Sequence, residues 1–242
     1  HATNCPAYIA PENPQCFCAE KCTDDTLNIW CDVCGVQGGS ACQGEDTAVV
    51  YEEQTTGDFT VTGGTYGQDY TYDNEAGLLT IQSSKEITIA NTNQNTPTED
   101  RIFVEANVNA NITLAGVNID VSSQRDTTAF KIADNSTGNV TITLADGKTN
   151  TLKSGTYCAG LQKNGEYSEI LGKLTITGTG TLTATGGDYG AGIGGGKSGS
   201  GSNIEISGGT VTATGGEGGA GIGGGWCGSG SDIKISGGKV TE

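Results

Sequence analysis

From Leu174 onward the chain alternates small apolar and hydroxyl-bearing residues in short runs, each ended by glycine. In Thr210-Val211-Thr212-Ala213-Thr214 the apolar side chains fall on one face and the threonines on the other, and Ile204 and Ile206 alternate in the same way with Glu205 and Ser207. A period of two predicts strands with one buried face. The runs also recur: LTITGTGTLTATGGDYGAGIGGG is followed by IEISGGTVTATGGEGGAGIGGG, and a third copy opens with IKISGGKVTE. Ile193 to Ile222 is 29 residues, as is Ile204 to Ile233. One copy predicts strands near 204–206, 210–214 and 220–222, joined by Gly208-Gly209, Gly215-Gly216 and the loop 223–231. Three strands and three corners per period, with no helical pattern and no Leu/Asn signature, predict a coil of a β-solenoid whose inner face is buried only by stacking on another coil.

Diverged copies are legible upstream. Ala159-Gly160-Leu161-Gln162 aligns with Ala191-Gly192-Ile193-Gly194 at a spacing of 32, and Ala129-Phe130-Lys131-Ile132 precedes it by 30. Strand-like runs continue back through 140–144, 117–121, 112–114, 102–104, 87–89 and 78–81. The expectation is a β-helix over 47–242, irregular over 47–170 and regular over 171–242, with about six or seven coils at ~4.8 Å each. Asp146-Gly147 and Asn164-Gly165 are hairpin-type dipeptides that could interrupt the middle coils.

Composition supports a narrow core. The chain has 41 glycines, no methionine and 6% aromatic residues, which argues against a broad globular interior. With 28 acidic against 12 basic residues the net charge is −16, and nucleic acid is excluded as an expected partner. No stretch is long and apolar enough to insert in a bilayer. The chain starts at His1 and stops within a repeat, so it reads as a processed, monomeric piece of a larger secreted protein.

The first 46 residues are different in kind. They hold Cys5, Cys16, Cys18, Cys22, Cys31, Cys34 and Cys42, seven of the nine cysteines, together with Pro6, Pro11 and Pro14. A segment this short needs staples, and disulfides among these cysteines are one answer. A zinc site on Cys16, Cys18, Cys31 and Cys34 is the other, kept open by the odd count and the CxC and CxxC pairs. Either way the expected role is a small cysteine-rich cap over the solenoid's open end. Cys158 and Cys227 lie at different positions in the coil, so they are not expected to bond to each other; one is expected to join the cap and one to be free.

The repeats GTLTATGGDYGAGIGGG and GGTVTATGGEGGAGIGGG, with the preceding VTITLADGKTNTLKSGTYCAGLQKNGEYSEILGKLTITGTG, resemble the glycine-rich repeats of large cell-surface proteins from Gram-positive gut anaerobes. The run CFCAEKCTDDTLNIWCDVC resembles a cysteine-rich segment of the same proteins. The resemblance covers about half of the chain. It implies an all-β, right-handed parallel β-helix in a wall-attached, adhesin-like protein at the bacterial cell surface, and it carries over no site residues.

Catalysis is not expected. Polysaccharide cleavage on a β-helix needs clustered acids, or a basic residue with calcium-binding acids. The only histidine is His1, the only arginines are Arg101 and Arg125, and Glu99-Asp100-Arg101 and Arg125-Asp126 read as solvated turns. For binding, Phe59, Tyr66, Tyr70 and Tyr72 form a candidate aromatic platform for sugar or protein, the alternative being that they close the first coil. Threonines 181, 183 and 185 stack over 210, 212 and 214, like the flat arrays of ice-binding solenoids, although threonine also suits any solvated strand face. GGDYGAGIGGG is close to calcium-binding glycine nonapeptides but lacks their ligand Asp, so no cofactor is expected, with structural zinc or calcium as alternatives. The reading is a non-catalytic binding module whose partner is a host protein or glycan, such as a mucosal glycoprotein or an immunoglobulin. A polysaccharide-binding or lyase-like β-helix and a passive spacer are the competing readings. The repeat itself is explained by stacking, which moves the search for a site to the coils before residue 170 and to the cap.

Overall fold

A computed structural model describes residues 54–165 and 171–242. The chain separates into His1–Val50 and Tyr51–Glu242. The seven cysteines expected to form the cap, and with them both the disulfide and the zinc readings, lie outside the described residues.

The second unit is a parallel β-helix of about five turns, with no helix among the described residues. Its strands form three sheets of eight, five and seven strands, and successive strands pass from the first sheet to the second to the third before returning one layer on. One full coil is Leu174–Gly178, Thr181–Thr185 and Ile193–Gly194; the next is Gly201–Ile206, Thr210–Thr214 and Ile222–Gly223. Ile193 pairs with Ile222 and Ile204 with Ile233, so the 29-residue repeat is the pairing register itself.

Stacking places like on like inside. Ile87, Ile112, Ile142, Ile176 and Ile206 form one inward column, all at most 1% exposed. On the second sheet the column runs Ile119, Leu152, Ala184, Ala213, so the core narrows towards the regular repeats. Asn150, fully buried, takes a core position without an orphaned amide. Its Oδ1 accepts from the Gly116 and Val117 N–H groups at 2.9 Å, and its Nδ2 donates to the Thr181 carbonyl at 3.1 Å.

Corners demand glycine where coils press closest. Gly155, Gly187 and Gly216 stack at one such corner; a Cβ on Gly187 would lie 2.1 Å from the Gly155 carbonyl oxygen, and one on Gly216 2.1 Å from that of Gly187. Asp146-Gly147 is also a corner and not a hairpin, since the flanking strands Val140–Leu144 and Thr149–Lys153 belong to different sheets.

Two expectations need correction. Residues 54–73 are antiparallel: Gln54–Thr56 pairs with Phe59–Thr62, which runs antiparallel to Glu86–Asn91, while Tyr70–Asp73 folds back on Leu78–Ile81, itself parallel to Arg101–Val104. These hairpins cover the first coil, which is why there are fewer coils than the expected six or seven. Phe130 pairs with Leu161, 31 residues on, and not with Gly160 as a spacing of 30 would require. This coil is one residue longer than that spacing, and a one-residue slip would have turned Phe130 and Ile132 out of the core.

Candidate functional site

After the second-sheet strands, successive coils place one residue in the left-handed backbone region: Asp126 (φ 57°), Tyr157 (φ 79°), Tyr189 (φ 71°) and Gly218 (φ 76°). The first three are tied to the next coil. The Asp126 N–H donates to the Thr156 carbonyl at 3.1 Å, Tyr157 to Asp188 at 2.7 Å, and Tyr189 to Glu217 at 2.9 Å. A tyrosine in this conformation costs about 1–2 kcal/mol, and the ladder bonds hold it there. Residues kept in such conformations cluster at ligand sites.

A second loop leans on this corner. Lys197 and Trp226 occupy equivalent positions in consecutive coils; the Lys197 N–H donates to the Tyr157 carbonyl at 2.8 Å and the Trp226 N–H to that of Tyr189 at 2.9 Å. Their side chains therefore converge. The Tyr157 and Tyr189 ring centres are 5.6 Å apart, and Tyr189 meets Trp226 edge to face at 5.7 Å. The Lys197 ammonium lies 4.4, 5.8 and 5.9 Å from the Tyr157, Tyr189 and Trp226 ring centres, and the Arg125 guanidinium lies 4.7 Å from Tyr157. The result is an aromatic track three rings long, with Trp226 45% exposed.

Beside the track a groove of about 590 Å³ runs over the outer face of the third sheet. Its floor is the outward column Phe103, Lys131, Gln162. Gln162 is buried by the loops on either side, and its Oε1 accepts from the Ala159 N–H at 3.1 Å and the Thr128 hydroxyl at 3.3 Å. Asn164 clamps the far wall, accepting from the Gly196 N–H at 2.8 Å and donating to Asp134 at 2.9 Å. Cys158 also lines the groove; burial pushes its thiol pKa up, so it stays protonated near neutral pH. Arg101, Lys131 and Lys197 line the groove against one carboxylate, Asp126. The Arg125–Asp126 pair, 3.4 Å apart, is mostly solvent-exposed and contributes little.

The four aromatic residues expected to form a platform do gather, at the antiparallel end. Phe59 (0% exposed) and Tyr70 (2%) are core residues and present no surface to a ligand. Tyr72 packs on the core and donates its hydroxyl to Asp100 at 2.6 Å; burial, then that bond, raises its pKa. Tyr66 alone is broadly exposed, edge-on to Tyr70. The Glu99-Asp100-Arg101 turn is split, with Asp100 tied to Tyr72 and to the Asp58 N–H and Arg101 turned to the Ala76 carbonyl and the groove. Threonines 149, 181 and 210 stack in register, as do 151, 183 and 212. Cys158 is a buried free thiol and Cys227 an exposed one. Among the described residues no three of His, Cys, Asp or Glu gather to hold a metal ion, and no helix is long and apolar enough to cross a membrane.

A family model for the Beta helix repeat matches residues 174–197 and 204–226. The matched segments are β-helix repeats, and the coils stacked on them share their parallel architecture. No curated protein and no solved structure matches it. The two matched segments carry Tyr189, Lys197 and Trp226, which lie in the part of the chain that sequence reasoning set aside as purely structural. The signal was in the copies themselves. They diverge at Asp188-Tyr189 against Glu217-Gly218 and at Lys197-Ser198 against Trp226-Cys227, and stacking brings these positions to one corner.

Proposed function

We propose that the chain is a non-catalytic recognition module of an extracellular, surface-attached bacterial adhesin, and that it binds the glycans of a host macromolecule such as a mucosal glycoprotein. The observation that carries this reading is the track of Tyr157, Tyr189 and Trp226, supplied by consecutive coils with neighbouring rings within 5.7 Å. Aromatic faces pack on the apolar faces of sugar rings, and an already ordered platform loses little entropy on binding. The adjoining groove adds Thr128, Gln162 and Asn164 as hydrogen-bonding groups. Its lining supports binding over cleavage: glycoside hydrolysis uses two flanking carboxyl groups, and this groove has one, Asp126.

The test is capture of soluble mucin and of immunoglobulin by the immobilised intact chain, its Trp226→Ala variant and its Tyr66→Ala variant. Mucin is retained by the chain and by Tyr66→Ala, and Trp226→Ala loses most of it. Equal retention by Trp226→Ala would sink the track as the site and favour the spacer reading. Retention of immunoglobulin alone would replace the glycan with a protein surface. New reducing or unsaturated sugar ends after incubation with polysaccharide would overturn the non-catalytic assignment.

A further inference from the structure

We infer that the groove beside the track selects an acidic sugar, a ring bearing a carboxylate or a sulfate ester; the inference rests on the proposal that this face binds glycan. The argument is a local inversion of charge. The chain carries −16 overall, yet this groove is lined by Arg101, Lys131 and Lys197 against Asp126 alone, and Arg125 stands at its Tyr157 edge. Both arginines of the chain, scattered in sequence, are thus brought to one site.

The cations are not all spoken for. Lys131 pairs with Asp134 at 2.9 Å, but Arg101 donates to a carbonyl, that of Ala76 at 2.8 Å. Lys197 lies against three aromatic faces with no carboxylate partner among the described residues. Its backbone is fixed on both sides, by Gly196 N–H to Asn164 and by its own N–H to the Tyr157 carbonyl, and its ammonium rests over the rings on the exposed side of the groove. A carboxylate or sulfate reaching Lys197 forms charge-assisted hydrogen bonds that a neutral hydroxyl does not match. A strongly acidic protein repels anions at long range, so such a ligand is held only where cations are concentrated. The hydroxyls of the same ring meet Thr128, Gln162 and Asn164, and a neighbouring neutral ring extends onto Tyr189 and Trp226.

Isothermal titration of the intact chain tests this with two matched pairs: 3′-sialyllactose against lactose, and galactose 6-sulfate against galactose. The acidic member of at least one pair binds about tenfold or more tightly than its neutral partner, and which pair shows it separates carboxylate from sulfate. Lys197→Gln abolishes the preference without changing the melting temperature, and Lys197→Arg restores it. Equal affinity for acidic and neutral members, or Lys197→Gln retaining the preference, overturns the inference. If mucin is still captured through Trp226 while the acidic preference is absent, this inference alone fails; if mucin capture is also lost, the glycan-binding proposal falls with it.

Discussion

Replacing Lys163 by methionine removes an amine from the inner face of the third sheet, where register puts it in line with Ile81, Val104 and Ile132. The residue is 4% exposed, and its ammonium donates to the Ser202 carbonyl at 2.7 Å. Burial holds its pKa down to about 8 from the ordinary 10.5. The folded value lies below the unfolded one, which sets the sign. Below pH 8 both states are protonated and the cost of burying the charge is present in full; as pH rises from about 8 towards 10.5 the folded chain gives up its proton first, and stability rises. At about 1.36 kcal/mol per pH unit that interval caps the gain near 3 kcal/mol, and residual solvation reduces the expectation to about 1–2 kcal/mol.

Methionine fills much of the same volume without a charge. Urea unfolding of both proteins at pH 7.0, 8.5 and 9.5 therefore shows the variant's stability relative to the parent falling by about 1–2 kcal/mol across the series. Taking the difference between the two proteins removes the tyrosines and the other lysines that titrate in the same range. A difference constant with pH within about 0.5 kcal/mol, or one that grows, refutes the assignment of a buried, depressed amine at this position.

Other consequences follow from particular contacts. Gly187→Ala drives a methyl group into the Gly155 carbonyl and lowers stability by about 2 kcal/mol or more in urea titration, whereas Gly147→Ala, at φ 65° with open space around it, costs about 1 kcal/mol; equal costs would remove close coil approach as the reason for the glycine column. The Lys173 ammonium first, then Lys234 and Ser236, hold the Glu205 carboxyl down to about 2 from 4.5. Its contribution is present above pH 4.5 and is lost as pH falls towards 2, so Glu205→Gln flattens the acid limb of the melting-temperature profile in that window; an unchanged profile would refute the pairing. Iodoacetamide labelling with peptide mapping at pH 7.5 modifies the exposed Cys227 ahead of the buried Cys158, and equal labelling would contradict the protonated, buried thiol on the groove.

What was legible in the sequence depended on how each feature is encoded. Parallel stacking was, because a coil sits on its copy and Ile204 to Ile233 is at once a sequence spacing and a ladder partner. Strand direction at the first end was not, because Phe59–Thr62 and Leu78–Ile81 alternate as the later strands do whichever way they run. Their short connections, Gly57-Asp58 and the stretch between Asp73 and Leu78, were the available clue to hairpins. The inward position of Lys163 was not legible, because it follows only from the register with Ile132, one residue away from the spacing of 30. The groove was hidden for a related reason. Its lining, from Leu78 to Lys197, is spread over successive coils, and beside it Tyr189 meets Trp226 only because each loop leans back on the corner of the coil before it. In a repeat of this kind the invariant positions are those that stacking demands, so side chains that stacking does not choose gather wherever the copies differ. Other differences, such as Thr175 against Glu205 and Thr210 against Lys239, lie on strand faces, while Tyr189 against Gly218 and Lys197 against Trp226 fall on one corner, as they would if the corner were kept for a ligand. Exchanging Lys197-Ser198 with Trp226-Cys227 would separate the two roles: stacking tolerates the swap, with a melting temperature within a few degrees of the parent, while mucin capture and the acidic preference both decline. A swap that leaves binding unchanged would mean that the corner's divergence is neutral and the track is not the site.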